Sequence, residues 1–304
     1  MLPNKNLQWF ATGFLFAVLW ASAAVATKIG LAVAQPLVIA VTRFGLAAAI
    51  LLFVAHVQLR QRLPVKMEWK QVAIYGLLNI TIYLGIYVVA MQWVSAGIGT
   101  LTIASNPVFI SFMSVFFLKK KLTLPIGLSL ITCAAGIVVA ALPLFEDATV
   151  TPGGLLLLLF SMFSYSVAAI YFSSVQWDGL SLLAINGWQT FFGGLFLLPF
   201  MLFFYKGELN HFNATFGWSV GWLAIPVSIV AIQLWLWLLQ TNAIRAGLWL
   251  FLCPLFGFIF AAWWMHEPIS MYTISGIVLV SIGLLLSKVK GRMKEVDLTI
   301  GAKE

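Results

Sequence analysis

Residues 253–270, CPLFGFIFAAWWMHEPIS, repeat the pattern of residues 106–123, NPVFISFMSVFFLKKKLT, at an offset of 147 positions. Pro107 meets Pro254, Phe109 meets Phe256 and, farther along, Gly136 meets Gly283. Any two apolar helices can share Phe, Pro and Gly by composition alone. Working outward from this pair with a window of about 19 residues, however, finds the same number of apolar runs in each half. The first half holds Trp9–Gly30, Pro36–Gln58, Val72–Trp93, Ile98–Leu118 and Leu124–Leu144. The second holds Gly153–Ser174, Leu180–Phe204, Gly217–Thr241, Ala246–Met265 and Tyr272–Ser287. Five is odd, so the second copy must enter a membrane from the opposite side to the first.

Composition agrees with this reading. Of 304 residues, 62% are apolar and 9% carry a charge, against roughly 25% charged in a soluble domain. A soluble enzyme is excluded. Ten crossings of about 20 residues each consume most of the chain, and the connections left over are too short for a domain with its own core. Lipid offers backbone amides no partner, so the runs must be helices; a barrel would show shorter, alternating segments. The first run is too long for a signal peptide and carries bulky Trp20, so it stays as a helix. The fold expected is all-α integral membrane, with ten transmembrane helices as two inverted five-helix repeats. Residues 1–148 form the first repeat, 149–290 the second, and 291–304 a tail.

The net charge of +8 marks topology rather than nucleic acid, because the basic residues gather beside apolar runs. With the N-terminus inside, fourteen of the 17 Lys and Arg lie on the cytoplasmic side; Lys28 and Lys206 lie outside, and Arg43 lies within a span. The positive-inside rule selects this orientation, with both termini cytoplasmic. Cys133 and Cys253 sit inside apolar runs without the spacing of a zinc or redox site and read as core thiols.

Several stretches resemble the drug/metabolite transporter superfamily, in particular its EamA-type permeases. They are LWASAAVATKIGL (19–31), TRFGLAAAI (42–50), AMQWVSAGIGTLTIASNPVF (90–109) and, most specifically, WLFLCPLFGFIFAAWWMHEPIS (249–270) followed by GIVLVSIGLLL (276–286). The resemblance covers nearly the whole chain. It implies ten helices in two repeats, a bacterial inner-membrane location, and export or exchange of small organic metabolites, including amino acids. Family members usually carry a glutamate after the fourth and ninth spans; Glu267 keeps the second, whereas Lys120 stands in the place of the first. The first repeat therefore carries a cation where the resemblance implies a carboxylate.

A carrier needs hydrogen-bonding or aromatic side chains deep in its spans. Asn79, Tyr83 and Tyr87 share one face of the third span, and Gln233, Trp237 and Gln240 one face of the eighth. These two stripes are expected to line a midplane cavity, although interhelical bonding gives the same pattern. Trp20, Tyr165 and Trp249 can add aromatic walls, whereas Trp9, Trp93, Trp218, Trp222, Trp263 and Trp264 suit the interfacial belts. Asn106 precedes Pro107, and Pro107 and Pro254 are each expected to kink a helix and act as a hinge. Arg43 either holds a carboxylate through its fork of donors or snorkels to the headgroups. Lys28, nearer its helix end, suits snorkelling better.

All nine acids and the three histidines, His56, His211 and His266, are peripheral, so no buried relay for tight proton coupling is expected. His266 and Glu267 form either a gate pair or, for the glutamate, a cap. An embedded enzyme would need HExxH, GxSxG, a Walker loop or clustered acids, and none is present; a channel would need a filter. No enzyme activity, cofactor or metal is expected. The partners are a small-molecule substrate and the lipid bilayer, in a monomer or homodimer, with no nucleic acid. Amino acids or amphipathic compounds lead as substrates. A sugar-phosphate carrier would want more than one cavity cation, while cationic drugs remain compatible with the aromatic walls.

Overall fold

Chains this apolar must satisfy their backbone internally, and side chains decide only where each helix starts and stops. A computed structural model describes residues 5–106, 108–110, 113, 124–146, 150–246, 249–250 and 252–288. Pro107, expected as a hinge, and Lys120 lie outside the described residues. The helices in chain order are α1 (Lys5–Leu31), α2 (Pro36–Gln58), α3 (Met67–Trp93), α4 (Ala96–Ile103), α5 (Leu124–Glu146), α6 (Pro152–Ser174), α7 (Leu182–Phe204), α8 (Ala214–Thr241), α9 (Leu252–Met265) and α10 (Met271–Lys288). No strand occurs among the described residues. Six of these helices, α1, α2, α3, α6, α7 and α8, are long and apolar enough to cross a membrane.

The starts have local causes. Ser95, Thr151, Ser181 and Asn213 each accept a hydrogen bond from the backbone N–H three residues on, satisfying an otherwise orphaned donor. Pro36 and Pro152 begin α2 and α6, where a missing N–H costs nothing. Pro254 has the same setting. It falls in the first turn of α9, so it interrupts no ladder within that helix. Within the span expected from Ala246, the described part of α9 runs Leu252–Met265.

The breaks in helical regularity lie elsewhere. Leu77–Leu84 within α3 and Leu223–Ala231 within α8 are π-helical, and the 147-residue offset carries the first segment onto 224–231. Wide turns of this kind are rare and loosen the backbone ladder locally. Pro226 accounts for part of the second, since it donates no hydrogen bond; the first contains no proline.

The two halves meet through counterpart helices: α2 packs on α7, α4 on α9 and α5 on α10. The remaining contacts come in matched pairs. α1 packs on α8 and α9 as α6 packs on α3 and α4, and α3 packs on α7 as α8 packs on α2. In the α5–α10 seam the Cys133 Sγ lies 3.6 Å from the Val280 carbonyl, and these two positions are equivalent at the repeat offset. Gly136 and Gly276 face each other there, each lying where a Cβ would meet the other's carbonyl at 2.8 and 2.5 Å. Gly127, on the same helix, has open space around it.

Each end of the bundle is tied by a matching pair of connections. At the α1–α2 end, Asn210 Nδ2 donates to Gln35 Oε1 at 2.9 Å and the His211 N–H donates to the Val33 carbonyl at 2.8 Å. At the α2–α3 end, the Ser181 hydroxyl bonds Gln61, and Arg62 donates to the Asp178 carbonyl at 2.9 Å. Arg62 also holds Glu68 through both carboxylate oxygens at 2.7 Å, and that bond keeps the guanidinium above its ordinary range.

Gly276→Leu is expected to wedge the α5–α10 seam and cost about 1–3 kcal/mol, read as a lower melting temperature in detergent. Gly127→Leu should leave the melt unchanged.

Candidate functional site

The most costly group to bury in such a bundle is a guanidinium, and Arg43 of α2 is only 1% exposed. It does not snorkel. Its Nε donates to Ser228 Oγ of α8 at 2.7 Å, and its charge lies 5.0 Å from the centre of the Phe44 ring. One terminal nitrogen, Nη2, is buried without a hydrogen-bond partner. No carboxylate pairs with Arg43 among the described residues. The groups within electrostatic reach of it are the phenols of Tyr83 and Tyr87.

Ser228 belongs to a polar chain that crosses the bundle. Asn186 Nδ2 of α7 donates to the Ser228 carbonyl at 3.2 Å. Gln189 Nε2 donates to Asn186 Oδ1 at 3.2 Å, and Asn79 Nδ2 of α3 donates to Gln189 Oε1 at 3.0 Å. Asn79 is thereby turned against α7. Thr81 sits 147 positions before Ser228, and its hydroxyl donates to the Gly193 carbonyl of α7 at 3.0 Å. The two equivalent hydroxyls thus each bind the partner half at the π-helical segments. Asn186, Gln189 and Thr190 are fully buried, and their spacing on one face of α7 carried a signal that inspection of the third and eighth spans alone missed.

Beside Arg43 lies an aromatic cluster. The Tyr83 ring is 6.3 Å from Tyr87 and 4.8 Å from Tyr165 of α6. Tyr165 is 6.0 Å from Trp235 of α8, which stacks on Phe16 of α1 at 5.0 Å, and Phe16 stacks on Trp20 at 5.8 Å. α1, α3, α6 and α8 thus each contribute, and Cys253 of α9 lies close to the three tyrosines. Polar atoms without partners persist here: Trp20 Nε1 and the Tyr87 hydroxyl are buried and unbonded. Asn106 is fully buried with both side-chain heteroatoms unbonded, and its carbonyl accepts from Ser166 Oγ at 3.3 Å. A polar atom left unpaired out of water is costly, so each of these marks a place where the bundle lacks a bond that folding normally supplies.

The stripe expected on α8 falls differently. Trp235, not Trp237, meets the tyrosines; Trp237 lies 5.9 Å from Trp9, and Gln240 is exposed. Positions 235 and 237 differ by about 200° around an α-helix, so they face opposite ways on the regular segment from Ile232. Gln233 is half-buried with Oε1 unbonded. Trp249 packs over Gly13 and edge-on to Phe10 at 5.3 Å.

Glu267 is a cap, but not of its own helix. Its carboxylate accepts from the Ala96 and Gly97 N–H groups at 2.7 and 2.9 Å, so α9 closes the start of α4 across the two halves. Charge-assisted bonds of this kind are about twice as strong as neutral ones. Lys28 stands in electrostatic reach of Glu267, and its Nζ donates to the Met91 carbonyl at 3.0 Å. A separate cleft of about 320 Å³ at this end is lined by Gln35, Pro36, Trp93 and Phe204 among others. Among the described residues no group of His, Cys, Asp and Glu is arranged to hold a metal ion. The central cluster offers binding groups: donors, one cation and aromatic faces.

Comparison with known proteins agrees with this architecture. The sequence profile of the EamA-like transporter family matches residues 7–142 and again 152–288. The chain is 25% identical over 274 residues to the uncharacterized transporter YoaV of Bacillus subtilis, covering 89% of this chain and 93% of that one. It is 28% identical over 242 residues to the uncharacterized inner membrane transporter YedA of Escherichia coli K12, covering 78% and 76%. Protein PecM of Dickeya dadantii is 25% identical over 233 residues, covering 73% and 74%. A protein crystal structure superposes with a TM-score of 0.64 at 17% identity, covering 92% of this chain and 96% of that one, which speaks to fold alone. With the profile matched twice over nearly its whole length, this chain belongs to the EamA-like transporter family of multi-pass membrane proteins.

Proposed function

We propose that the chain is a secondary carrier that exports or exchanges small organic metabolites, with amino acids and related amphipathic compounds as the leading class. In this reading ten helices span a bacterial inner membrane as two inverted repeats, with both termini and the α2–α3 end on the cytoplasmic side. The observation that carries it is the buried cluster around Arg43, Tyr83, Tyr165 and Trp235, built from both halves at their seam. A site shared by two inverted halves can be exposed to either side by rocking one against the other. The paired π-helical segments at Thr81 and Ser228 support a pivot at that level. The matched clasps at the two ends support gates that open in turn.

A sugar-phosphate substrate is disfavoured because one guanidinium faces the cluster where a doubly charged phosphate would call for more. An enzyme is disfavoured because the cluster pairs no nucleophile with a base.

Two outcomes test this reading. In proteoliposomes loaded with a metabolite panel, Trp235→Ala should lower protein-dependent efflux by about tenfold or more, the scale of one lost aromatic contact with its buried area, while Gln240→Ala leaves it unchanged. Glu267→Gln keeps one acceptor, now neutral, and leaves the other backbone N–H facing an amide donor. It should raise the rate at which a cysteine at position 96 reacts with an impermeant maleimide by roughly tenfold.

A further inference from the structure

The geometry points to a carboxylate as the recognised group of the substrate, held by the Arg43 guanidinium, with the rest of the ligand lying as an apolar or aromatic body against Tyr83, Tyr165 and Trp235. This rests on the carrier reading above and deepens it. Arg43 is 1% exposed, spends Nε on Ser228, and leaves Nη2 buried and unbonded. The nearby Tyr87 hydroxyl is likewise buried and unbonded. Both are donors toward an anion, and a guanidinium fork matches the two oxygens of a carboxylate.

The charge balance makes the inference selective. A protein that buries a cation normally pairs it, yet no acid meets Arg43 among the described residues. A ligand with one negative charge completes the pair; a ligand with only a positive charge adds a second buried cation. For an ammonium group the described cluster offers no carboxylate, only ring faces and neutral hydroxyls such as that of Tyr87. The carboxylate is therefore required and the amino group dispensable, so that 2-amino acids and the corresponding simple carboxylic acids share the site while amines, amides and esters do not.

The test uses phenylalanine, 3-phenylpropanoate, phenethylamine and phenylalaninamide, with the leucine series as an aliphatic set. Purified protein is assayed for melting-temperature shifts, and reconstituted protein for efflux against protein-free vesicles. The two acids of each set should raise the melting temperature and leave the vesicles, with the amine and amide weaker by about tenfold or more. Arg43→Gln should erase that preference. Arg43→Lys, which keeps the charge and guards against a fold defect, should weaken acid binding by about tenfold, and Tyr87→Phe should weaken it less. Equal binding of amine and acid, or an undiminished acid preference in Arg43→Gln, overturns the carboxylate anchor and leaves the carrier reading standing. Acid binding through Arg43 with no efflux overturns the carrier reading and keeps the anchor. No shift and no efflux for any compound overturns both.

Discussion

Everything in this molecule is arranged around a seam made of counterpart helices, in which α2 meets α7, α4 meets α9 and α5 meets α10. Residues at equivalent positions meet there, as Cys133 and Val280 do, and the close approach at Gly136 and Gly276 is reciprocal. A seam of this kind has an energetic consequence. If the two halves are alike, exchanging their conformations gives a second arrangement with nearly the same contacts. Two packings of similar free energy are what a ligand of modest affinity can bias.

The polar groups sit where that seam requires them. Arg43, Ser228, Asn186, Gln189 and Asn79 form a chain from α2 to α3 by way of α8 and α7. Each of its inner bonds is worth little alone, about 0.6 kcal/mol in comparable membrane bundles. Its effect is to fix where a costly cation can lie. The π-helical segments of α3 and α8 border the same chain, and their looser ladders are places where backbone can rearrange without stripping amides bare.

Much of the fold was legible in the sequence because lipid imposes a simple rule on length and polarity. The ends of α2, α5, α6 and α7 fall within a few residues of the apolar runs, and Arg43 was conspicuous as a charge inside a span. The site was legible only in part. Tyr83, Tyr87 and Tyr165 converge, but Trp235 replaces Trp237, because a helix rich in Trp, Leu and Gln all round does not mark in residue type which face meets the other half. Glu267 was visible as a cap, but its partner lies 170 positions away in α4, and local sequence does not encode so distant a contact.

The central claim is that the two halves are one unit inserted in opposite senses, and sidedness measures it directly. Ala32 and Gln176 are exposed residues in the α1–α2 and α6–α7 connections, which are equivalent by the repeat. With Cys133 and Cys253 buried, a single cysteine placed at either position can be challenged in intact cells with an impermeant maleimide. The account predicts that Ala32→Cys is labelled from outside and that Gln176→Cys is labelled only after the membrane is opened. Labelling of both from the same side would contradict it.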